Sequence, residues 1–505
     1  MHLLDIVIIV VYLAAMVTVG ILSRGRQDDE ADYFTGGFAG LRWLGVVIVG
    51  LSIGATFFSG ISMLAYPSVA YSSGVAMALS LITLPLAGVV VLKVFLPRFF
   101  AAGVREPYEL IERKFGYPTR AVAAGMYVLL RVGWMGVLIY APVMAIMAAT
   151  GLSSSWLWPL VLAIGLSSTI YTTLGGIRGV LVTDAIQFLF MGLGIVGPIA
   201  YIMWFAPVDW TQATSFLAEK GHLQWFDFSF DVTKTFTFWS VMVGMFTANL
   251  AIYTADQMSL QRYLAAGDER SASSAFYLNI AGVVVVIALL IMLGLALSVW
   301  YGMVVDQIPP EKSDRVFPTF VAMYLPPGAP GLIFAAILAA TMSSMTSGIN
   351  SLAGCLTMDF VGRLRPNYSH ADRLRFARWA SLGIGLSATM VAGMVQHLGT
   401  IFDIAQAVIG VFLGPLLACM AISVSRLSVG PRGMIGGMLA GSAAGWCVAF
   451  SPASSLWVAP TAALVALAVA TVSQGWPSLA SVPETEEDTS FQRNQILEAT
   501  TTEVS

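Results

Sequence analysis

Ala339-Ala340-Thr341-Met342-Ser343-Ser344-Met345-Thr346-Ser347-Gly348-Ile349-Asn350-Ser351 lies inside an apolar segment that runs from about 331 to 359. Its polar side chains at 343, 346, 347, 350 and 351 recur at three- and four-residue spacing. That spacing puts them along one face of a helix. An apolar helix with such a face has two uses. Small residues and hydroxyls form the seam of close helix packing in a membrane. Hydroxyls and carbonyls are also hard oxygen ligands that suit a small alkali cation.

Similar apolar segments lie on both sides, at about 3–22, 42–66, 74–97, 121–150, 155–174, 179–204, 237–260, 275–302, 377–396, 400–425, 433–450 and 455–473. The chain has 505 residues, 57% hydrophobic and 10% charged, where a soluble domain has about 45–50% and roughly 25%. So little polar sequence cannot coat so much apolar surface. A soluble enzyme, a nucleic-acid binder and a disordered scaffold are excluded. About 20 apolar residues cross a bilayer as a helix, and the long unalternating runs exclude a β-barrel. The expectation is an all-α integral membrane protein with about 13 transmembrane helices. Asp5 precedes the first run and no basic region does, so that run is expected to be a membrane span. Cys355, Cys419 and Cys447 all fall in apolar segments and form no disulfide framework.

Lys and Arg set the orientation. With the amino terminus outside, twenty basic residues fall on the cytoplasmic side, from Arg24 to Arg493, and four fall outside: Lys220, Lys234, Lys312 and Arg315. Arg131 lies inside the fourth segment. The expected organisation is one transmembrane domain over 1–475, with a disordered, acidic cytoplasmic tail over 476–505.

Polar residues inside the other segments each need a reason. In Ser52-Ile53-Gly54-Ala55-Thr56-Phe57-Phe58-Ser59-Gly60-Ile61-Ser62, Gly54, Gly60 and Thr56 weaken the helix at mid-membrane depth. An unwound turn there frees carbonyls, which lipid tolerates only beside a cavity or an ion; an intact helix with packing glycines is the alternative. Asp184 wants a cation or a helix amino terminus. Arg131 either snorkels to the inner interface or clamps a carboxylate. Asn249 and Tyr253 share a face of the seventh segment, with Asp256 and Gln257 at its inner end. Asn249, and Gln406 in the eleventh segment, serve either a solute or an interhelical hydrogen bond. No His-Glu-x-x-His, P-loop or Gly-x-Ser-x-Gly is present, so no enzyme is expected, and no metal other than sodium.

Several stretches together resemble the sodium/solute symporter family: Asp32-Tyr33-Phe34-Thr35-Gly36-Gly37, Gly54 through Gly60, Tyr171 through Val180 running into Thr183-Asp184-Ala185-Ile186-Gln187, Asp256-Gln257 with Gln261-Arg262-Tyr263-Leu264, and Ala340 through Asp359. The resemblance covers about residues 3–475. It implies a LeuT-type 5+5 inverted repeat, with segments 2–6 and 7–11 as its halves (a core of about 42–425) and unwound helices meeting at the midplane. It implies a sodium site at the carbonyls of Ala55, Phe58 and Ala340 and the hydroxyls of Ser343 and Ser344. A second sodium site would use Asp184, Ser343, Thr346 and Ser347. Sodium is then the coupling ion, and no other cofactor is expected.

For the solute, Leu81 and Val283 stand where sugar-carrying members place a Glu and a Lys, which disfavours a sugar. Ser59 and Ser62 match the hydroxyls of sialic-acid carriers; Trp134 stands at the position of their Arg, with Arg131 one turn earlier. The stretch Trp134 through Pro142 looks like the branch carrying monocarboxylates, iodide and pantothenate. The candidate solute residues are Thr56, Ser59, Ser62, Arg131, Trp134, Asn249, Tyr253 and Gln406. The leading expectation is sodium-coupled uptake of a small organic anion across the plasma (inner) membrane. The alternatives are a neutral amino acid or other polar solute, and a proton-coupled carrier in which Asp184 titrates. Solute, sodium and the lipid bilayer are the expected partners, with no nucleic acid.

Overall fold

The computed structural model describes residues 1–23, 59–104, 108–260, 268–305, 308–361, 365, 368–395 and 399–473. Ala55, Thr56, Phe58, the 32–37 motif and the expected tail after 475 lie outside the described residues. Among the described residues all regular structure is helical. Nine stretches there are long and apolar enough to cross a membrane, and Ser240–Ala255 is a shorter apolar helix. Leu189, Leu193 and Val196 stand exposed on one helix, and Val10 and Val11 on another, as expected where lipid is the solvent.

Helix α1 (Leu3–Leu22) opens with a capping box in which the His2 N–H donates to Asp5 Oδ2 at 2.7 Å. The other oxygen of this buried carboxylate accepts from the N–H groups of Gly328 and Gly331, at 2.8 and 3.2 Å. These groups begin helix α8 (Ala329–Cys355), and a carboxylate complements the positive end of a helix. The first helix is thereby fastened to the helix that carries the hydroxyl face.

Helix α2 (Gly60–Ser73) starts from a cap at Ser59. Ser59 has extended backbone and its Oγ accepts from the Ser62 N–H at 3.1 Å, a side-chain cap that satisfies a first-turn donor. The helix therefore begins inside the stretch whose sequence weakens helix, while Gly54 through Phe58 lie outside the described residues. Gly74, at φ +65°, turns the chain toward α3 (Ser80–Val90), which runs on through a π turn to Ala101. Pro118 in its first turn and Gly151 in the left-handed conformation bound α4 (Tyr117–Thr150).

The backbone of α5 (Leu157–Phe205) is one helical run that carries two candidate spans, Ser154–Gly175 and Val182–Phe205. Tyr171 on the first faces Thr183 and Gln187 on the second. A straight helix would hold Tyr171 and Gln187 about 24 Å apart, so the run reverses between the two spans.

Helix α6 (Phe246–Ala255) follows a π turn at Ser240–Met245. It stops at Asp256, whose backbone is extended at φ −74°, ψ 117°, and helical bonding resumes over 257–260. The sequence places Asp256 at the end of a span; the structure puts a break there. Helix α7 (Glu269–Val299) starts at the Asp268 cap. Helix α8 (Ala329–Cys355) is central, packing on α1, α2, α4, α5 and α9 (His370–Met394). Helix α10 (Ile401–Val424) packs on α4, α6 and α2, and with α11 (Pro431–Ala449) and α12 (Val458–Val472) forms a closely packed group on one side.

Candidate functional site

Where α2, α4, α6, α7, α8 and α10 converge they enclose a cavity of about 270 Å³. Seven of the eight candidate solute residues line it: Ser59 and Ser62, Arg131 and Trp134, Asn249 and Tyr253, and Gln406. The eighth, Thr56, lies outside the described residues. Residues from four separate segments thus meet in one space, and Ser344 of the expected sodium site lines it too.

The local chemistry follows from the start of α2 and the break at Asp256. At the start of α2 the Ser59 and Ser62 hydroxyls lie 3.0 Å apart, and an amino-terminal turn presents N–H groups that favour negative charge. Asn249 Nδ2 donates to Thr83 Oγ1 at 2.9 Å, so the interhelical bond allowed by its sequence is present although the residue also lines the cavity. The Tyr253 ring stands edge-on to Phe276, with centroids 5.0 Å apart. Gln406 Nε2 approaches Met245 Sδ at 3.6 Å.

Arg131 is buried and does not snorkel. Its Nη2 donates to both carboxylate oxygens of Asp256, at 2.5 Å for Oδ1, and its Nε donates to the Tyr127 hydroxyl at 3.1 Å. Its guanidinium also lies over the Tyr127 ring, 5.3 Å from the centroid. The charge that lines the cavity is therefore matched by a second lining charge from the break in α6. Sequence reading noted Asp256 without its partner. The signal available was a carboxylate and a guanidinium, each inside an apolar segment and each needing compensation. Asn279 of α7 also lines the cavity, with its buried Oδ1 unpartnered; the signal available was an amide inside the apolar 275–302 segment.

Beside the cavity, Ala340 and Ser343 are fully buried on α8. A Cβ built on Gly60 would stand 2.0 Å from Thr341 Oγ1. The absence of a side chain at 60 is what lets the first turn of α2 reach the hydroxyl-bearing turn of α8. Three of the five expected sodium ligands, Ala340, Ser343 and Ser344, fall in this turn; Ala55 and Phe58 lie outside the described residues. The buried Oγ atoms of Ser343 and Thr341 have no hydrogen-bond partner. An orphaned buried hydroxyl costs about 1–3 kcal/mol, and uncommitted hard oxygens are what a sodium ion requires.

Of the second set, Asp184 and Thr346 are buried and Ser347 is half-buried. Helix α5 packs along α8. The Thr346 hydroxyl donates to the Ser343 carbonyl at 3.0 Å. Tyr171 faces Thr346 and Gln187, one turn from Asp184, and the Tyr171 hydroxyl and both Gln187 amide atoms are buried without partners. The sequence motif contains both Tyr171 and Gln187, but their place in this polar cluster follows from the packing of α5 on α8, which no spacing reveals.

The model of the sodium:solute symporter family matches residues 33–441. Human sodium-coupled monocarboxylate transporter 2 is 29% identical over 488 residues, covering 92% of this chain and 75% of that protein. The human sodium/iodide cotransporter is 28% identical over 452 residues, covering 88% and 67%. A solved structure of a substrate-bound, outward-open Na+-coupled sialic acid symporter matches with a TM-score of 0.78 at 24% identity, covering 94% of this chain and 98% of that one. That likeness shows the fold, the LeuT-type inverted repeat. The family and these relatives are transporters, not enzymes. A multi-pass helical membrane protein with a helix broken at Asp256, this chain belongs to the sodium:solute symporter family.

Proposed function

We propose that this protein couples sodium entry to uptake of a small organic solute, a carboxylate-bearing anion, by alternating access across the plasma (inner) membrane. The observation that carries the reading is the convergence of Ser59, Ser62, Arg131, Trp134, Asn249, Tyr253 and Gln406 on one cavity that also contacts Ser344. Sodium at Ala55, Phe58, Ala340, Ser343 and Ser344 would tie the break before α2 to α8 and so order the Ser59–Ser62 wall of the cavity. A second sodium at Asp184, Ser343, Thr346 and Ser347 would share Ser343 with the first. The cavity size suits a small solute, and the hydroxyls and N–H groups at the start of α2 suit a carboxylate. The amino terminus is assigned to the outside, and the 476–505 tail to the cytoplasm.

The test is uptake into proteoliposomes, with short carboxylates, neutral amino acids and sugars each offered with and without sodium. Sodium-dependent uptake of a carboxylate is expected. Uptake driven by a pH step without sodium would replace sodium by the proton. A second reading has its own support: Arg131 and Asp256 line the cavity as a mutually neutralised pair, which favours a neutral polar solute if the pair stays closed. Sodium-dependent uptake of a neutral amino acid, and of no carboxylate, would select that reading.

A further inference from the structure

We propose that Asp256 determines the cavity's specificity: it holds Arg131 until a ligand bringing its own carboxylate takes its place, and the exchange releases the break in α6. The ligand rests on the anion reading above. The inference goes beyond that reading in naming the residue that senses ligand charge and the element that responds.

Both members of the pair line the cavity, and their side chains are 9% and 8% exposed. They come from elements 125 residues apart, the middle of α4 and the break after Ala255. Asp256 Oδ1 also accepts from the Met258 N–H at 2.9 Å. One carboxylate thus joins the turn after the break to α4. Other groups hold the same place: the Tyr108 hydroxyl donates to the Ala255 carbonyl at 2.9 Å, and Gln257 meets Cys355 Sγ at the end of α8 at 3.6 Å. These contacts pin the turn at 257–260, whose Met258 and Ser259 themselves line the cavity.

The exchange follows from chemistry. A ligand carboxylate offers Arg131 the same two-oxygen fork as Asp256, and a neutral isostere does not. Once displaced, Asp256 would be an uncompensated buried charge. It regains solvation when the turn at 257–260 moves toward water, which frees that turn from α4 and from Cys355. A ligand without charge leaves the pair intact and the turn in place.

Cys355 reports the movement, being 5% exposed and in contact with Gln257. The experiment uses the full chain in lipid nanodiscs with sodium, carrying Cys419→Ser and Cys447→Ser, and measures labelling of Cys355 by a charged maleimide. Asp256→Asn without ligand is expected to label roughly tenfold faster, within the range of ordinary coupling energies. Propionate should accelerate labelling of the Asp256 protein, propionamide should not, and propionate should add nothing to Asp256→Asn. The exchange Arg131→Asp/Asp256→Arg should restore slow labelling, which separates loss of the pair from misfolding. Labelling of Asp256→Asn at the Asp256 rate would overturn the proposal. So would equal effects of propionate and propionamide on a protein shown to take up carboxylates. If the uptake screen finds no carboxylate carried, the anion reading and the displacement step both fail; the ligand-free Asp256→Asn and exchange arms then decide separately whether the pair is a latch.

Discussion

Ser343 is fully buried and its Oγ is unpartnered, so without an ion it is a cost to the fold. Ser343→Ala should leave the sodium-free protein as stable or slightly more so. With sodium, the Ser343 protein gains melting temperature by mass action and the variant should not. The sodium concentration for half-maximal uptake should rise by about tenfold or more, each factor of ten being about 1.4 kcal/mol of lost binding. Parallel sodium titrations of melting and of uptake check this. Because Ser343 is assigned to both ion sites, its loss should exceed that of Ser347→Ala, which touches one.

At the scale of elements, the sites depend on helices being held end to end. Gly60→Val should push α2 off α8, because even a Cβ would meet Thr341 Oγ1 at 2.0 Å and the Ile337 carbonyl at 3.1 Å. Overpacking of this kind costs about 1–3 kcal/mol, and the stabilisation by sodium should disappear with it; thermal melts with and without sodium read both effects. On the side predicted to be outer, the Asp314 carboxylate ties α2 to α10, accepting from the Ser68 hydroxyl at 2.8 Å and the Ile401 N–H at 3.0 Å. Burial raises its pKa above the ordinary aspartate value, and Asp403 nearby adds to this; the two hydrogen bonds and Lys312 oppose it. A folded-state carboxyl raised above its unfolded value favours the fold at acid pH, and that contribution is lost as pH rises through the raised value. The stability of the Asp314 protein relative to Asp314→Asn should therefore fall from about pH 4 upward and then level off. A difference that stays flat across melts in that range would contradict the account. The helices and their membrane character were legible because hydropathy and helical spacing are local properties of the chain; the candidate cavity residues were named from polar groups inside apolar segments and from the family resemblance. The pairing of Arg131 with Asp256, the capping of α8 by Asp5 and the meeting of Tyr171 with Gln187 were not legible. Each depends on which helices pack together or on where one breaks, and no spacing in the sequence encodes that.

For the molecule as a whole, ion number decides how the membrane potential acts. One sodium carried with one monovalent anion moves no net charge, while two sodium ions with one anion move a single positive charge. Moving one charge through 100 mV is worth about 2.3 kcal/mol, and at about 1.36 kcal/mol per factor of ten that is roughly fiftyfold in accumulation. If Asp184 holds the second ion, proteoliposomes with a potassium diffusion potential, negative inside, should accumulate the anion roughly fiftyfold more per 100 mV than at zero potential. Asp184→Asn should still transport with the first sodium, but with accumulation indifferent to potential and a sodium dependence that falls from cooperative toward hyperbolic. The reciprocal effect belongs to the same test: solute should tighten sodium binding by the factor by which sodium tightens solute binding. If Asp184→Asn kept the voltage dependence, the second ion would have to be held elsewhere, and the sharing of Ser343 between two sites would fall with it.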